Sequence, residues 1–341
     1  MLKKGYISSL LLLLLALFSF YCNAPRDNPL DPYGPNSDLV EIKPNLVQIT
    51  GTVQTISAPL TGIPRVSVFW LPGNMVVTTN DSGKFTISNI EPVDGDLIFK
   101  KDGYTPDTAA VKWNNNKQIT LPIVNLNKKP TLDGYLIYSE VSNQSAQSNF
   151  AAGQMADLVF KVKINDSDND IDSVYVVYRN IDSTFVGGLE LQSKSYQATF
   201  SISQLTALSV VETSLDEIVG YNFEVWVIDT FNRRFLVGSN KVARVIKSGV
   251  DIVGPNNDSL YMPINLSWNK YQNGFPFTYK VEIFNATNPQ PIYARDNIPS
   301  DSTSLQINTT SIVTGDYFWA VSVVDKFLDS YKSIPGRFHI N

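Results

Sequence analysis

The sequence predicts an all-β protein made of tandem β-sandwich domains. Short runs that alternate apolar with polar residues recur along the chain, as at 66–70, where Val66, Val68 and Trp70 fall on one side of an extended strand. Clusters of Gly, Pro, Asn and Asp separate these runs, and only residues 203–219 suggest a short helix or turn. With 341 residues, 43% of them apolar and 17% charged, the chain is long enough for two or three separate hydrophobic cores.

Charge and cysteine content limit the classes of function. The formal net charge is -5, with acidic and basic residues interspersed, so no basic patch is available for a phosphate backbone and we expect no nucleic-acid partner. The single cysteine, Cys22, leaves the remainder of the chain without an intramolecular disulfide. The single histidine, His339, lies in a terminal apolar run, which favours a strand residue over a catalytic or metal-binding one.

Residues 1–22 have the pattern of an export signal. Lys3 and Lys4 precede an apolar run that is shorter than the roughly 20 residues of a membrane-spanning helix and that ends at Cys22. The pattern resembles a bacterial lipoprotein signal, although Tyr21 stands where that family prefers Gly, Ala or Ser. The resemblance implies attachment to the membrane of the bacterial cell envelope through a lipidated Cys22, with the outer membrane expected and its face left open. A free exported protein and an uncleaved anchor are the alternatives.

Segments rich in Pro and turn residues divide the rest of the chain. Residues 23–45 show little periodicity and predict an extended tether. Polar, Pro-containing sequence near 125–133 and turn residues at 255–258 predict two further boundaries. We therefore expect a signal at 1–22, a tether at 23–45, and three sandwiches at 46–126, 127–247 and 248–341.

Four turn and strand motifs follow one another in the first sandwich. They read GTV from Gly51, GIPRVSV from Gly62, TNDSGKF from Thr79 and KDGY from Lys101. Their order is similar to that of a carboxypeptidase-regulatory-like domain. The resemblance implies a seven-stranded, prealbumin-like sandwich that accompanies many different functions, so it predicts a fold and no activity. Within the third motif, residues 80–83 are predicted to form a hairpin turn.

A weak repeat relates the other two sandwiches. Its matching positions are Tyr221, Phe223, Val225, Val227 and Asp229 in one, and Tyr317, Trp319, Val321, Val323 and Asp325 in the other. Alternate residues are expected on one buried strand face, and each leading tyrosine is expected to tie a loop to its strand as a tyrosine corner does. Through LSW at 266–268 and GDYFWAV at 315–321, the last sandwich resembles a fibronectin type III domain. Through DSDNDIDSV at 166–174, the middle sandwich is similar to a bacterial immunoglobulin-like domain.

One short loop of the middle sandwich is rich in carboxylates. Its four alternating aspartates are Asp166, Asp168, Asp170 and Asp172. Carboxylates are the hard oxygen ligands that Ca²⁺ prefers, but the sixth and twelfth positions of the loop hold Ile171 and Val177 rather than the Gly and Glu of an EF-hand. The pattern therefore leaves two hypotheses open: a calcium site of another geometry, and a solvated turn between strands, which we favour.

Three tryptophans are candidates for stacking on a sugar or a peptide: Trp226, Trp113 and Trp70. Trp226 is the strongest candidate because it lies between Val225 and Val227 and so faces away from their buried side. Packing in a core or against a neighbouring domain is the favoured alternative for all three.

No sequence motif predicts catalysis. The chain has no Gly-x-Ser-x-Gly elbow, no Walker loop and no dinucleotide-binding glycine turn, and we expect no catalytic residue and no cofactor. The sequence predicts a non-enzymatic cell-envelope lipoprotein whose sandwiches bind a protein or glycan partner or hold it away from the membrane. The alternative is an envelope-anchored hydrolase, or an accessory subunit of an enzyme complex, that uses carboxylates.

Overall fold

The computed structural model describes residues 46–144, 153–179, 183–285 and 290–341, which fold almost entirely into β-strands. The contacts divide the chain into two compact units, Met1–Leu126 and Asn127–Asn341. The predicted signal, Cys22 and the tether lie outside the described residues. Among the residues that the structure describes, no helix is long and apolar enough to cross a membrane.

The first unit is a sandwich of two four-stranded sheets. One sheet has the order β4-β1-β7, with β8 also paired to β1, and the other has the order β3-β2-β5-β6. The strands are β1 (Val47–Thr55), β2 (Ser67–Trp70), β3 (Met75–Thr78), β4 (Lys84–Ile90), β5 (Gly95–Lys100), β6 (Asp107–Val111), β7 (Gln118–Thr120) and β8 (Val124–Leu126). Alternate apolar residues of both sheets, such as Ile49 and Phe99, form one core between them.

Two features of this sandwich differ from the prediction. It has eight strands rather than seven, because β7 and β8 pair in parallel with successive parts of β1. Residues 80–83 form the predicted tight turn, in which Asn80 Oδ1 accepts hydrogen bonds from the amides of Ser82 and Lys84. The turn is not a hairpin, however, because β3 pairs with β2 and β4 pairs with β1, so the chain crosses from one sheet to the other here.

The second unit contains two hydrophobic cores. The strands around the first are β9 (Thr131–Gln144), β10 (Gly153–Asn165), β11 (Ile171–Arg179), β12 (Ser183–Gln192), β13 (Ser195–Ser201), β14 (Asn222–Asp229) and β15 (Arg234–Lys241). The strands around the second are β16 (Ile252–Gly254), β17 (Asp258–Leu260), β18 (Ile264–Trp268), β19 (Phe277–Asn285), β20 (Pro291–Ile298), β21 (Ser304–Ile307), β22 (Gly315–Asp325), β23 (Ser330–Lys332) and β24 (Gly336–Ile340). We call the two parts the middle and the last sandwich.

A single sheet runs through both parts of the second unit. Its strand order is β15-β14-β11-β12-β13-β10-β9-β23-β22-β19-β20. Within the middle sandwich the sheet folds over at β12, which pairs with β11 in its first part and with β13 in its last. The sheet passes into the last sandwich through parallel pairing of β9 with β23, where Ser330, Tyr331 and Lys332 are opposite Glu140, Val141 and Ser142.

The predicted repeat is present, with one exception. The core-facing positions of the repeat are buried in both sandwiches: Phe223, Val225 and Val227 in the middle one, and Tyr317, Trp319, Val321 and Val323 in the last. The hydroxyl group of Tyr317 donates to the carbonyl oxygen of Val313 at 2.8 Å, which confirms the tyrosine corner there. The same prediction is wrong for Tyr221, which precedes β14, is 42% exposed and packs its ring against Tyr178 instead.

The short helical segment predicted between residues 203 and 219 is confirmed. Helix α1 spans Ile202–Ala207, and a 3₁₀ helix spans Leu215–Ile218. Ser201 and Ser214 cap them, each in a capping box with the side chain three residues later. Leu205, Leu215 and Ile218 are thereby packed into the core of the middle sandwich.

Candidate functional site

Trp70 and Trp113 are buried, as the favoured alternative of packing predicts, so the stacking role that the sequence left open for them is wrong. They are only 1% and 3% exposed. Their rings meet edge to face, with centroids 6.5 Å apart, and the Trp113 indole N–H donates to the carbonyl oxygen of Val93 at 2.7 Å. Burial of both rings and of this polar group makes them core residues of the first sandwich.

Trp226 faces outward from β14, as its position between two core valines predicts. It is opposite Tyr175 on one neighbouring strand and Leu236 on the other. Phe185 extends the row on the far side of β11, and its ring centroid is 5.7 Å from that of Tyr175. Phe185 and Leu236 are 56% and 51% exposed. We call this row the aromatic face: Tyr175, Phe185, Trp226 and Leu236.

Charged side chains fix the Trp226 indole on the aromatic face. Its N–H donates to Glu224 Oε2 at 3.0 Å. Arg179 donates to both oxygens of the same carboxylate, at 3.0 Å from Nε and 2.6 Å from Nη2. The Arg179 guanidinium lowers the pKa of Glu224, so that group is ionised at neutral pH and is a strong acceptor for the indole.

This arrangement suits a ligand with an apolar face and a polar rim. Flat rings on a rigid sheet lose little conformational entropy when they contact a ligand, and they present apolar area to the C–H face of a sugar or to a side chain. The adjacent guanidinium and carboxylate offer hydrogen bonds to hydroxyl or amide groups. Such a combination is typical of binding surfaces.

The aspartate loop is organised by Asp166. Its Oδ1 accepts from the amide of Asp168 at 3.2 Å, and its Oδ2 accepts from the amides of Asp170 and Ile171 at 2.8 and 3.2 Å. Asp168 Oδ2 accepts from the amide of Lys128 at 2.5 Å. These bonds are those of a side-chain-stabilised turn between β10 and β11. The favoured hypothesis of a turn between strands fits them, but the turn is not fully solvated, because Asp168 and Asp170 are buried.

Asp170 joins this loop to the end of β14. Its Oδ2 accepts from the Asn127 side chain and is 3.9 Å from Arg233 Nη2. Arg233 also donates to Asp229 Oδ2 at 2.7 Å. Burial and the neighbouring Asp166 and Asp229 carboxylates raise the pKa of Asp170.

The structure does not gather the four predicted calcium ligands around one point. Asp172 is exposed, whereas Asp168 and Asp170 are buried. In the described ranges, no group of three or more His, Cys, Asp or Glu side chains is arranged to hold a metal ion. A calcium site in this loop therefore stays a hypothesis.

His339 is a strand residue, as its sequence context predicts. It lies in β24, and its Nδ1 is 2.8 Å from Asp316 Oδ1 at the surface. Its position there supports a structural role for the histidine.

Charged residues also connect the two sandwiches of the second unit. Asp329 of the last sandwich accepts from Ser139 of the middle sandwich. Arg244, which follows β15, places its Nε 2.9 Å from Asp325 Oδ2 as an ion pair and its guanidinium over the Phe275 ring. This junction could not be predicted from the sequence, because its partners are about 80 to 190 residues apart in the chain and no local pattern joins such residues.

Comparison with known proteins assigns no family to the chain. No family model matches it, and no curated protein matches it. Similar solved structures include fibronectin(III)-like modules of CbhA from Clostridium thermocellum, at 15% identity over 62% of this chain and 93% of that one, with a TM-score of 0.28. A second is the FN1-FN3 domains of chicken CNTN1, at 10% identity over 83% of this chain and 93% of that one, with a TM-score of 0.32. A third is a DUF3823 family protein from Bacteroides ovatus, at 11% identity over 58% of this chain and 98% of that one, with a TM-score of 0.23. Similarity at this level gives neither a ligand nor a partner.

Proposed function

We propose that this protein is a non-enzymatic, lipid-anchored protein of the bacterial cell envelope that binds a polysaccharide on the aromatic face of its middle sandwich. The observation that carries the proposal is the outward Trp226, fixed by Glu224 within a row of apolar side chains. An indole that is held before the ligand arrives loses little freedom on binding. The N-terminal pattern that ends at Cys22 supports the anchor.

The junction between the middle and last sandwiches supports a second part of this role. Strand pairing of β9 with β23, together with the Asp329 and Arg244 contacts, resists bending between the two sandwiches. Modules joined in this way keep a bound polymer at a fixed position relative to the last sandwich. The second unit therefore acts as one rigid body rather than as two flexibly linked sandwiches.

Affinity electrophoresis tests the binding role. The full exported chain is run through gels that contain single bacterial or plant polysaccharides, beside Trp226→Ala and Tyr261→Ala. Tyr261 is the matched control because it is 74% exposed and lies in the last sandwich, away from the aromatic face. We expect at least one polysaccharide to retard the wild type and the Tyr261 variant and to leave Trp226→Ala unretarded. Equal retardation of all three proteins would contradict the assignment of the site to the aromatic face. If the protein hydrolyses the polysaccharide, and an Asp or Glu substitution abolishes that hydrolysis, the result would favour an enzyme.

Anchoring has a separate test. Labelled fatty acid should be incorporated into the wild-type chain and not into Cys22→Ser. Protease treatment of intact cells, with a periplasmic protein as the protected control, then reports the side of the membrane. Incorporation into both chains equally would contradict lipidation at Cys22.

A further inference from the structure

A polar groove of about 640 Å³ crosses the junction between the middle and last sandwiches. Its floor is the face of the continuous sheet that points away from the two hydrophobic cores. The volume is in the range of sites for small ligands. Seven charged side chains line it: Glu140, Asp157, Lys161, Lys280, Glu282, Asp296 and Lys332.

The wall from the last sandwich is built around Glu282, which is almost fully buried. Lys280 Nζ is 2.8 Å from its Oε1, and Lys332 Nζ is 2.7 Å from its Oε2. Burial alone raises the pKa of Glu282, but Lys332 and Lys280 outweigh burial and hold it below its ordinary value. One carboxylate thus orients two ammonium groups that are both about one third exposed, and this cluster has an excess of positive charge.

Asp296 reduces that excess only slightly. Its Oδ1 is 3.9 Å from Lys280 Nζ, and its side chain is mostly exposed. An exposed pair at this distance is strongly screened by water and salt. Lys280 and Lys332 therefore keep N–H groups and charge for an anionic group in the groove.

The wall from the middle sandwich carries the opposite charge. Glu140 and Asp157 are register partners on β9 and β10 and point into the groove. Within the part of the chain that the structure describes, neither carboxylate has a hydrogen-bond partner or an ion pair within 4 Å, although Glu140 interacts electrostatically with Lys280 at longer range across the junction. Like charges on opposite residues of paired strands repel each other, and burial raises the pKa of Asp157.

Lys161 lines the same groove but, among the described residues, forms no ion pair within 4 Å with either carboxylate. Its Nζ is over the ring of Tyr138, 5.5 Å from the centroid. Tyr138 is itself buried, so the groove offers no open aromatic surface of the kind that defines the aromatic face. Charge is therefore the main recognition feature of the groove.

We propose that this groove binds a short zwitterionic peptide, with its ammonium group between Glu140 and Asp157 and its carboxylate at Lys280 and Lys332. The ammonium relieves the repulsion between the two carboxylates, and the carboxylate accepts the remaining N–H groups of the two lysines. The site belongs to the junction itself, because each sandwich supplies one of the two charges. It is separate from the aromatic face and does not depend on polysaccharide binding there.

Titration calorimetry of the full exported chain with trialanine tests this assignment, beside the N-acetylated and the C-amidated forms of the same peptide. Each modified peptide lacks one of the two charges and keeps the same size and shape along most of its length. We expect heat of binding from free trialanine that weakens with added salt, and at least about a tenfold loss of affinity for each blocked form. Absence of binding at millimolar peptide, or equal binding of the three forms, would overturn the proposal.

Substitutions test whether trialanine binds in this groove. Asp157→Asn and Lys280→Gln should each weaken trialanine binding, whereas Lys163→Gln, which breaks only the exposed pair with Asp133, should not. Circular dichroism checks that each variant is folded. Trp226→Ala should bind trialanine as the wild type does, so a failure here is distinguishable from a failure of the aromatic face. Undiminished binding by both Asp157→Asn and Lys280→Gln would place the peptide elsewhere.

Discussion

Asp329 Oδ1 accepts two hydrogen bonds from Ser139, one from the backbone amide at 2.7 Å and one from the hydroxyl group at 2.9 Å. The two residues belong to different sandwiches, and both are fully buried. Asp325 and Arg244 are the charged groups that interact with this carboxylate. The contact closes the junction beside the parallel pairing of β9 with β23.

The equivalent loops after β14 and β22 share a hydrogen-bond pattern but differ at the residue that makes this contact. In both, an aspartate Oδ1 accepts from the amides two and four residues later: Asp229 from Phe231 and Arg233, and Asp325 from Phe327 and Asp329. In the middle sandwich the fourth residue is Arg233, which pairs with Asp229 itself. In the last sandwich that position is Asp329, so Asp325 takes its counterion, Arg244, from the neighbouring sandwich.

We expect Asp329 to make stability depend on pH. Burial is the main cause that raises its pKa from 3.8 to about 6, so the folded state favours the protonated acid. The protonated Asp329 carboxyl therefore contributes fully to the free energy of unfolding below about pH 4, and this contribution is lost as pH rises through about 6. Asp329→Asn should abolish this dependence and stabilise the second unit above pH 7 by about 1–3 kcal/mol.

Urea unfolding between pH 4 and 8 measures this effect, and hydrogen exchange of the Ser139 amide reports it locally. Asp301→Asn is the control, because Asp301 is exposed and should leave the pH profile unchanged. A variant at position 329 that keeps the wild-type slope between pH 4 and 6 would show that another group titrates there.

Arg244→Leu should destabilise the junction. It leaves Asp325, whose side chain is almost fully buried, without its cation, and an unpaired buried charge costs about 3 kcal/mol. The double variant with Asp325→Asn should recover much of the loss because it removes that charge. Thermal unfolding measures both, with Arg234→Leu as the exposed control that should change the free energy of unfolding by about 0.5 kcal/mol at most. No difference between the two arginine variants would contradict the role of the ion pair.

Gly83→Ala should destabilise the first unit much more than Gly103→Ala. Both glycines have positive φ, so either substitution costs about 1–2 kcal/mol of backbone strain. A Cβ at Gly83 would also lie 2.1 Å from the carbonyl oxygen of Val53, whereas one at Gly103 has nothing within 4 Å. The extra loss, on the order of 2 kcal/mol or more, is visible in denaturant midpoints of the two variants. Equal losses would mean that the close approach of the turn to β1 relaxes freely.

Asp166→Ala should destabilise the middle sandwich by about 2 kcal/mol, because three loop amides lose their acceptor. Asp172→Ala, at an exposed position of the same motif, should change the free energy of unfolding by about 0.5 kcal/mol at most.

We also expect the melting temperature of the wild type to be the same with calcium and with a chelator, since Asp166 holds the turn through amides. A lower melting temperature after chelation would instead support calcium in this loop.

The sequence by itself determined the all-β class, the alternation of buried residues along β2 and β14, and the side of β14 on which Trp226 lies, because strand alternation and turn chemistry are local properties. It also predicted the tyrosine corner at Tyr317. The same prediction failed at Tyr221, which has the equivalent position in the repeat but lies one residue before its strand begins.

Only the tertiary structure decided which tryptophans are buried. Trp70 lies in a strand and Trp113 in a loop 43 residues later, and their rings pack against each other in the core. It alone brought Ser139 to Asp329 and placed the carboxylates of β9 and β10 beside the lysines of β19 and β23. Those contacts depend on which strand edges pair, and strand pairing between distant segments is set by the packing of whole sandwiches rather than by the residues of one strand.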